Sequence, residues 1–600
     1  MRSTTISDYQ LPDGTVPVLL SAPTPDLLAA EAADLLTYLD ARPHIPVGRI
    51  AEMIFRTRVA RRFRALAMVA DTAELTHALR AVAAGTSHSA VIRSTEPGRG
   101  IAFVFPGQGG QRPGMGRLFY DHLPAYRAEA DRCDNAFREF FAESPLEYLL
   151  DATHPADNRA RIVQPALFTQ MAGLAAAWRA VGVTPAATIG HSQGEIAAAY
   201  VAGRMSLFDA ILIVGTRARA VDSISSDDHA MAVVAADRET CERLLARLSG
   251  WAQVSAVNSP TMTALSGERP AIAEVVDTCT QQGVFARMIP VRYPAHTGMV
   301  NDLRDVIRDA ARDRLENQYF TAGTAVCFGG TLGEELPAGT ALADYWFWNL
   351  RNPVRFDKAV TAASAAGIGT FVEIADHPAL RLAIEENLAA DSGPGARVVS
   401  TSQRAATDLS EFTRNLAALL VDEPDYRWQS LRVTDTPPAL PLPDFPHARM
   451  NEVRLWLPYN TDSWDNQPVA TVSADPAPDA HPAQLVVERW VRLSRRSLSQ
   501  PKRLGLVDHT GGRAELVAAL VAEAADQGAT TRIIDPAAGA DTTDIDTLVV
   551  LLPPYPELTA AAAAAAAAEF FGARGGGGGG GGGGDSRGGV NPPGGGGGGG

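Results

Sequence analysis

The stretch that decides the fold is residues 188–200, TIGHSQGEIAAAY. A short apolar run ends at Gly190, and an alanine-rich helix is predicted to begin just after Ser192. Glycines at positions 190 and 194 give the pattern G-x-S-x-G, which is typical of a sharp turn from a buried strand into a helix. Such a turn presents the serine hydroxyl to an acyl group and brings the N–H of Gln193 to where a tetrahedral oxyanion forms. An ordinary glycine-rich turn has the same pattern, so the surrounding sequence decides between the two.

The composition of the 600-residue chain excludes several classes of protein. A hydrophobic content of 46% and a charged content of 20% indicate a globular chain with several cores. The net charge of −15 argues against nucleic acid and anionic membranes, so an anionic substrate needs a local basic group. The sequence shows no signal core and no membrane-spanning run, and metal-ligand spacing is absent from its cysteines, Cys133, Cys241, Cys279 and Cys327. We therefore predict a soluble cytoplasmic protein that binds no metal.

The regions that flank the serine turn differ in character. Residues 1–98 are predicted to form a small α/β unit, with a helix over residues 50–62. Proline and aspartate make residues 435–475 typical of a linker. A strand–helix–strand pattern returns over residues 484–552, but it lacks the glycine fingerprint of a nicotinamide site, so we expect no functional NADPH site there. The alanine and glycine tracts of residues 559–600 cannot form a core.

A second glycine-rich segment, PGQGGQ at residues 106–111, follows a buried-type strand predicted over residues 101–105. Its glycines allow the backbone to approach another loop closely and leave N–H groups free to donate. A phosphate-binding loop is excluded because no Gly-Lys-Ser/Thr follows. We predict instead that this loop supplies a second oxyanion donor beside the N–H of Gln193.

Two arginines lie on a helix predicted over residues 208–221. Arg217 and Arg219 are two positions apart, so their side chains point to different faces of the helix. At most one of them can face Ser192, and a solvated surface charge is the default for either.

The pattern changes after Ala230 to the order β-α-β-β-α-β, which is typical of a ferredoxin-like unit. The predicted elements cover residues 231–235, 238–248, 252–257, 261–265, 268–282 and 285–291. Such an insert over a main body creates a cleft, and small-molecule sites favour clefts between domains. His296 follows the last inserted strand directly, which makes it the candidate base for Ser192.

Taken together, five motifs resemble the acyltransferase domain of modular polyketide synthases and the related malonyl-CoA:acyl-carrier-protein transacylases. They occur in the order of that family, as PGQGxQ, GHSQGE, Arg217, Tyr293-x-x-His296 and the NLRxPV of residues 349–354. The resemblance implies an α/β fold with a hydrolase-like parallel-sheet body and an inserted ferredoxin-like subdomain. A small α/β linker domain precedes that body, and a truncated Rossmann-like fragment follows it.

The resemblance also implies a domain layout. The expected units are a ketosynthase-to-acyltransferase linker (1–98), the acyltransferase (99–400, with its insert at about 229–293), a post-acyltransferase linker with the motif LPxFP (401–478), the cofactor-free structural half of a ketoreductase (479–558) and a low-complexity tail (559–600). This order, without a ketosynthase, is similar to a subunit of mycobactin-type siderophore assembly lines. It implies a ketosynthase that is supplied in trans.

The activity that the resemblance implies is a ping-pong acyl transfer without a bound cofactor. His296 takes the proton of Ser192, which attacks the thioester of malonyl-CoA or methylmalonyl-CoA. The oxyanion lies between the N–H groups of Gln108 and Gln193, and an acyl carrier protein then accepts the acyl group on its phosphopantetheine thiol. In this family a backbone carbonyl, and not an acid, orients the histidine.

Arg217 is 25 positions after Ser192, where the family carries the arginine that pairs with the free carboxylate of the substrate. Arg219 is the second choice. The side group of the substrate is left open, because YPAH at residues 293–296 differs from HAFH for malonyl and from YASH for methylmalonyl. Tyr293, Gln193 and the small Ala295 favour methylmalonyl, whereas the siderophore-type layout favours malonyl.

Two other functions are compatible with the same residues. One is a serine thioesterase or editing hydrolase built on the same turn. The other is an inactive scaffold of a truncated synthase, against which the intact set of Ser192, His296 and Arg217 argues.

Overall fold

The computed structural model describes residues 9–95, 100–155, 158–337, 339–391, 396–434, 439–450, 503–508, 514–526, 529–534, 545 and 547–551. The chain divides into two compact units at the boundary between Tyr459 and Asn460. Within the ranges just given, no helix is long and apolar enough to cross a membrane, and no cluster of His, Cys, Asp and Glu could hold a metal ion.

The first part of the larger unit is a three-stranded antiparallel sheet, in the order β1-β2-β3, with three helices. Thr24 and Asp71 cap the first and third helices, as their side chains accept backbone N–H bonds. The second helix ends earlier than predicted, because Arg58 turns to an extended conformation and pairs with buried Glu31. The elements are β1 (Val16–Ala22), α1 (Pro25–Asp40), α2 (Val47–Thr57), β2 (Phe63–Val69), α3 (Thr72–Ala83) and β3 (Val91–Arg93).

The segment that carries the LPxFP motif packs on this N-terminal sheet unit. Phe445 is buried in its core and lies edge-on to Tyr38 at 5.3 Å between ring centroids. The Tyr38 hydroxyl donates to the carbonyl of Pro443 at 3.1 Å. Residues 439–450 therefore form part of the N-terminal unit in space, although they are far from it in sequence.

The main body begins with a strand whose alternate side chains enter two different cores. Phe103 and Phe105 pack in one core, and Ala102 and Val104 pack in the other, so the sheet is covered on both faces. The first elements of the body are β4 (Gly100–Phe105), α4 (Arg117–His122), α5 (Pro124–Phe140), α6 (Pro145–Leu150), α7 (Ala160–Ala180), β5 (Ala187–Gly190), α8 (Gly194–Val201) and α9 (Leu207–Ser223).

The inserted segment follows in the order β-α-β-β-α-β. Its strands are antiparallel neighbours in the order β7-β8-β6-β9, and residues such as Leu265 and Ile272 fill the space between the sheet and its helices. The elements are β6 (His229–Val234), α10 (Arg238–Leu245), β7 (Ala252–Ser259), β8 (Met262–Glu268), α11 (Arg269–Gln281) and β9 (Ala286–Ile289).

The chain then returns to the main body. One short returning strand pairs in parallel with β7, where Val354 lies opposite Ala256, so backbone hydrogen bonds join the inserted sheet to the body. The remaining elements are α12 (Arg304–Arg314), β10 (Val326–Gly329), β11 (Glu334–Glu335), α13 (Leu342–Arg351), β12 (Val354–Arg355), α14 (Phe356–Ala365), β13 (Ile368–Glu373), α15 (Arg381–Asp391), β14 (Arg397–Ser400) and α16 (Ser410–Asp422).

The central sheet has the order β11-β10-β5-β4-β13-β14, and all its strands except the edge strand β11 are parallel. The protein therefore has the mixed α/β fold with a parallel sheet that the sequence predicts. Phe105 at the end of β4 lies opposite Gly190 at the end of β5. Their adjacent carboxyl ends bring the PGQGGQ loop beside the serine turn.

The smaller unit contains a parallel three-stranded sheet in the order β16-β15-β17. Its elements are β15 (Arg503–Asp508), α17 (Ala514–Asp526), β16 (Thr530–Ile534) and β17 (Thr547–Leu551). The turn at residues 509–513, where a nicotinamide fingerprint would lie, and the tail at residues 559–600 are outside the described residues.

Candidate active site

Ser192 lies at the turn between β5 and α8 with a φ of 54°, in the left-handed region. The two glycines around it are required by close packing. A Cβ at Gly190 would overlap the backbone of Glu195, and a Cβ at Gly194 would overlap the carbonyl of Pro106. In the structure, the G-x-S-x-G segment therefore forms a tight turn that packs closely against the end of β4.

His296 is the hydrogen-bond partner of the serine. Its Nε2 lies 2.7 Å from Ser192 Oγ, and its Nδ1 lies 3.0 Å from the carbonyl oxygen of Asn352. Because a carbonyl only accepts, Nδ1 carries the proton and Nε2 is free to accept from the serine. Burial, together with the charges of Arg217 and His191, lowers the pKa of His296 to about 3. The imidazole is therefore neutral at neutral pH, as a general base must be.

Two backbone N–H groups are candidates for an oxyanion hole. Among the described residues, neither Gln108 nor Gln193 donates its backbone N–H to a protein acceptor, whereas that of Gly109 bonds Gln111 Oε1 at 2.7 Å. Gln193 stands at the N-cap of α8, where the helix dipole favours negative charge. A Cβ at Gly107 would lie 2.9 Å from the ring of His191, so the two loops are in close contact.

The two arginines of α9 have different surroundings. Arg217 is only 1% exposed, and none of its guanidinium nitrogens has a hydrogen-bond partner within the described part of the chain. Arg219 is 36% exposed, pairs with Glu143 and lies over the ring of Phe141 at 4.3 Å. This confirms the prediction that they point to different faces, and it is Arg217 whose charge acts on His296.

The site contains a serine turn, a neutral histidine and a buried guanidinium. A comparison with known protein families agrees with this combination. A family model described as an acyl transferase domain matches residues 102–425. The chain belongs to this acyltransferase family.

The relatives of this acyltransferase domain are large synthases. It is 35% identical over 448 residues to the spectinabilin polyketide synthase system protein NorA' of Streptomyces orinoci, covering 74% of this chain and 12% of that protein. It is 37% identical over 447 residues to the erythronolide synthase EryA3 of Saccharopolyspora erythraea, covering 74% of this chain and 13% of that protein. The chain therefore spans a small part of the length of these relatives.

Among solved structures, the chain is similar to the acyltransferase domain from module 8 of the salinomycin polyketide synthase. The two are 32% identical with a TM-score of 0.62, and the similarity covers 69% of this chain and 97% of that domain. The homologues in modular polyketide synthases and this structural neighbour confirm the family resemblance that the motifs predict.

Tyr293, predicted to lie near the side group of the substrate, is buried in this acyltransferase domain. Its hydroxyl accepts from Gln164 Nε2 at 3.1 Å and donates to Gln108 Oε1 at 3.2 Å. Ala295 is buried two residues further on, and the side-chain amide of Gln193 is buried without a partner among the described residues. The structure thus joins Tyr293 to the loop that carries one candidate oxyanion donor.

Ser192 and His296 form a hydrogen-bonded pair, which we call the dyad. Three further residues near the dyad were not assigned a role from the sequence. Gln164 is fully buried on α7, and Glu195 and Asn349 are buried close to the serine turn. A signal for Gln164 was present, since it is a polar residue within a largely apolar helix. Glu195 and Asn349 stand in the family motifs, but their contact is long-range and could not be read from either motif.

Proposed function

We propose that the chain transfers a malonyl-type group, malonyl or methylmalonyl, from CoA to Ser192 and then to the phosphopantetheine thiol of an acyl carrier protein. The observation that carries this proposal is the buried guanidinium of Arg217, which lacks a partner among the described residues and acts on His296. An unpaired buried charge is costly, so such a site calls for an anionic ligand. A substrate with a free carboxylate supplies that anion, whereas a plain acyl group leaves the charge unpaired.

In the first half-reaction, Ser192 Oγ forms a bond to the thioester carbon while its proton passes to His296 Nε2. The carbonyl oxygen becomes an oxyanion that accepts from the N–H groups of Gln108 and Gln193. Loss of one such donor typically costs about 3 kcal/mol of transition-state stabilisation. The intermediate then breaks its carbon–sulfur bond, and His296 returns the proton to the departing CoA thiol.

The second half-reaction repeats these proton transfers, with a different thiol as the nucleophile. The phosphopantetheine thiol of the carrier gives its proton to His296 and attacks the acyl-serine, and Ser192 leaves with that proton. Neither half-reaction uses a bound cofactor. The carbonyl of Asn352 holds the imidazole through both, since it accepts from Nδ1.

The selectivity of the pocket has two parts. Arg217 selects the carboxylate, because a planar guanidinium can bind both carboxylate oxygens. Tyr293, Ala295 and Gln193 surround the position proposed for the side group. A methyl group is worth only about 1–3 kcal/mol of discrimination, so the choice between malonyl and methylmalonyl is left open and mixed use is compatible with this pocket.

The rest of the proposal concerns the setting of the domain. We assign the residues before 99 and the LPxFP segment to the linkers, the inserted sheet to a ferredoxin-like subdomain on a hydrolase-like body, and the smaller unit to the structural half of a ketoreductase without NADPH. A ketosynthase would be a further partner, in polyketide or siderophore biosynthesis. A cytoplasmic location stays a prediction that rests on the cysteine pattern.

The experiment that tests the proposal is incubation with radiolabelled malonyl-CoA, with and without a carrier protein. A long-lived acyl-serine on Ser192 that is discharged only by the carrier supports transfer. Rapid release of free malonate without a carrier would instead indicate the thioesterase or editing hydrolase, and no labelling would indicate an inactive scaffold.

A further inference from the structure

One short segment of the chain contacts both members of the catalytic dyad. Ser192 and His296 have φ values of 54° and 61°, which non-glycine residues rarely adopt. Such conformations persist only where the surroundings hold them firmly. The elements that hold these two residues therefore also determine how the hydroxyl and the imidazole are aligned.

The end of α13 supplies three of the contacts. Asn349 Nδ2 donates to the carbonyl oxygen of Ser192 at 3.0 Å. The backbone N–H of His296 donates to the carbonyl of Leu350 at 2.9 Å, and its ring Nδ1 lies 3.0 Å from the carbonyl of Asn352. Only the first of these contacts is made by a side chain, so Asn349 is the residue whose identity matters most.

Asn349 is in turn held by a buried carboxylate and by the hydroxyl oxygen of Thr331, which accepts from Asn349 Nδ2 at 3.1 Å. Its Nδ2 lies 3.2 Å from Glu195 Oε2, which also accepts from the backbone N–H and the hydroxyl of Thr331 at 3.1 and 3.0 Å. The hydroxyl of Tyr345 donates to Glu195 Oε1. Every hydrogen-bond partner of the Glu195 carboxylate among the described residues is a donor, so the carboxylate fixes the orientation of the Asn349 amide with its nitrogen toward the serine.

We propose that Asn349 is a positioning residue that, held by Glu195, fixes the Ser192 carbonyl and thereby aims the hydroxyl at His296. The inference rests on the proposed role of Ser192 as the nucleophile, but not on the identity of the acyl group. It assigns a role in the reaction to two buried residues outside the pair formed by Ser192 and His296.

The test replaces Asn349 by aspartate, which has the same shape. Asn349→Asp removes the donor to Ser192 and places a second carboxylate against Glu195. The probe is phenylmethanesulfonyl fluoride, which reacts with the serine hydroxyl without needing a carboxylate site, and malonyl-CoA is used in parallel. We expect a fall of about 100-fold in both rates at about pH 9, where both carboxylates are charged, which is the size of effect typical of a small misalignment.

The pH dependence separates positioning from simple damage. Burial raises the pKa of Glu195 to about 7, and a second carboxylate beside it raises that pKa further, so the two carboxylates of Asn349→Asp are both charged only at alkaline pH. As the pH falls, the introduced carboxylate shares a proton with Glu195, their repulsion ends, and the rate of the variant recovers. Three titratable groups interact electrostatically with Glu195, namely Tyr345, Cys327 and Arg217. Burial raises the pKa of Tyr345 and of Cys327, so both stay protonated between about pH 6 and pH 9. The wild-type rate does not rise over this range, since His296 is already neutral.

A matched control is available in the same chain. Asn317 Nδ2 donates to buried Asp209 at 2.8 Å, which is another asparagine–carboxylate pair and lies outside the dyad contacts. Asn317→Asp is expected to lower the melting temperature but to leave the sulfonylation rate and its pH profile unchanged. The swapped variant Asn349→Asp with Glu195→Gln restores an amide–carboxylate pair, and we expect its stability to recover while its rate stays low.

Several results would overturn the inference. A wild-type rate in Asn349→Asp at about pH 9, a loss that is the same at every pH and parallels the melting temperature, or full recovery of rate in the swapped variant would each do so. If Asn349→Asp does not fold, the uncharged isostere Asn349→Leu takes its place, with a similar but pH-independent loss expected and an unchanged rate as the contrary result. A wild-type protein that reacts with the sulfonyl fluoride but not with malonyl-CoA would refute the proposed function and leave this test intact.

Discussion

Two fully buried ionisable residues near the dyad, Glu195 and Arg217, have opposite surroundings. Glu195 accepts hydrogen bonds from Thr331, Tyr345 and Asn349. Arg217 has no hydrogen-bond partner among the described residues, although its side chain is just as inaccessible. Satisfied buried charge serves the structure, whereas unsatisfied buried charge beside a nucleophile indicates a missing ligand. On the proposed function, Glu195 belongs to the framework of the site and Arg217 to its binding surface.

The largest expected effect concerns Arg217, the buried side chain without a hydrogen-bond partner among the described residues. Arg217→Ala should lower the rate of malonyl transfer to Ser192 by about 100- to 1,000-fold, because a buried charge-assisted contact is worth about 2–5 kcal/mol. Transfer of acetyl groups should rise or stay level, since no carboxylate needs a partner. The measurement is acyl-serine formation from each CoA ester.

Arg219 supplies the matched control on the same helix. Because it is partly exposed and paired with Glu143, Arg219→Ala should leave both rates unchanged. An equal loss of malonyl and acetyl transfer in Arg217→Ala would contradict the carboxylate role.

Substitutions of Glu195 and of Arg217 should change the free energy of unfolding in opposite directions. Glu195→Gln, at about pH 8, should lower the free energy of unfolding by about 2–3 kcal/mol, because the new NH₂ group faces donors. Arg217→Met should raise it by about 1–4 kcal/mol in the absence of substrate, because a buried unpaired charge is removed. Chemical denaturation of both variants measures the two changes, and a loss of stability in Arg217→Met would show that the guanidinium has a structural partner.

The pH dependence of the reaction at Ser192 tests how strongly the Arg217 charge lowers the pKa of His296. Burial and the Arg217 cation lower the pKa of His296 to about 3, so protonation removes the base only far below the ordinary histidine range. Sulfonylation of Ser192 should therefore show no fall around pH 6.5, the ordinary value for histidine. In Arg217→Met the pKa of His296 rises and the acid limb moves to higher pH. A wild-type limb near the ordinary histidine value would contradict this account.

The smallest expected effect concerns Tyr293, whose hydroxyl joins Gln164 to Gln108. Tyr293→Phe keeps the ring and breaks both bonds, so the ratio of methylmalonyl to malonyl transfer should change by a factor of about 5–10, the size of one net hydrogen bond. Gln164→Leu should change the ratio in the same direction, and the double variant should change it no further. Additive changes would show that the two residues act separately.

The sequence predicts the parts of the site that depend on local geometry. Gly190 and Gly194 are needed by the turn itself, and the spacing of Arg217 and Arg219 follows from the helix, so both were readable from short stretches. The hydrogen bond between Gln164 and Tyr293 joins residues 129 positions apart, and the bond between Asn349 and Ser192 spans 157 positions. Such contacts depend on how α7 and α13 pack, which no local pattern encodes.

The same limit applies to the fold. The six inserted elements follow from their alternating patterns, but the pairing of β12 with β7 depends on a two-residue strand that carries no periodic signal. The early end of α2 is likewise set by the pairing of Arg58 with Glu31, which lies on another helix.

The measurement that tests the central claim most directly is a competition for Ser192 between malonyl-CoA and acetyl-CoA at equal concentration, read by the intact mass of the protein before any carrier is added. The account predicts a malonyl adduct that is absent from Ser192→Ala and that gives way to an acetyl adduct in Arg217→Ala. A wild-type protein that carries mainly acetyl, or an Arg217→Ala variant that still prefers malonyl, would contradict it.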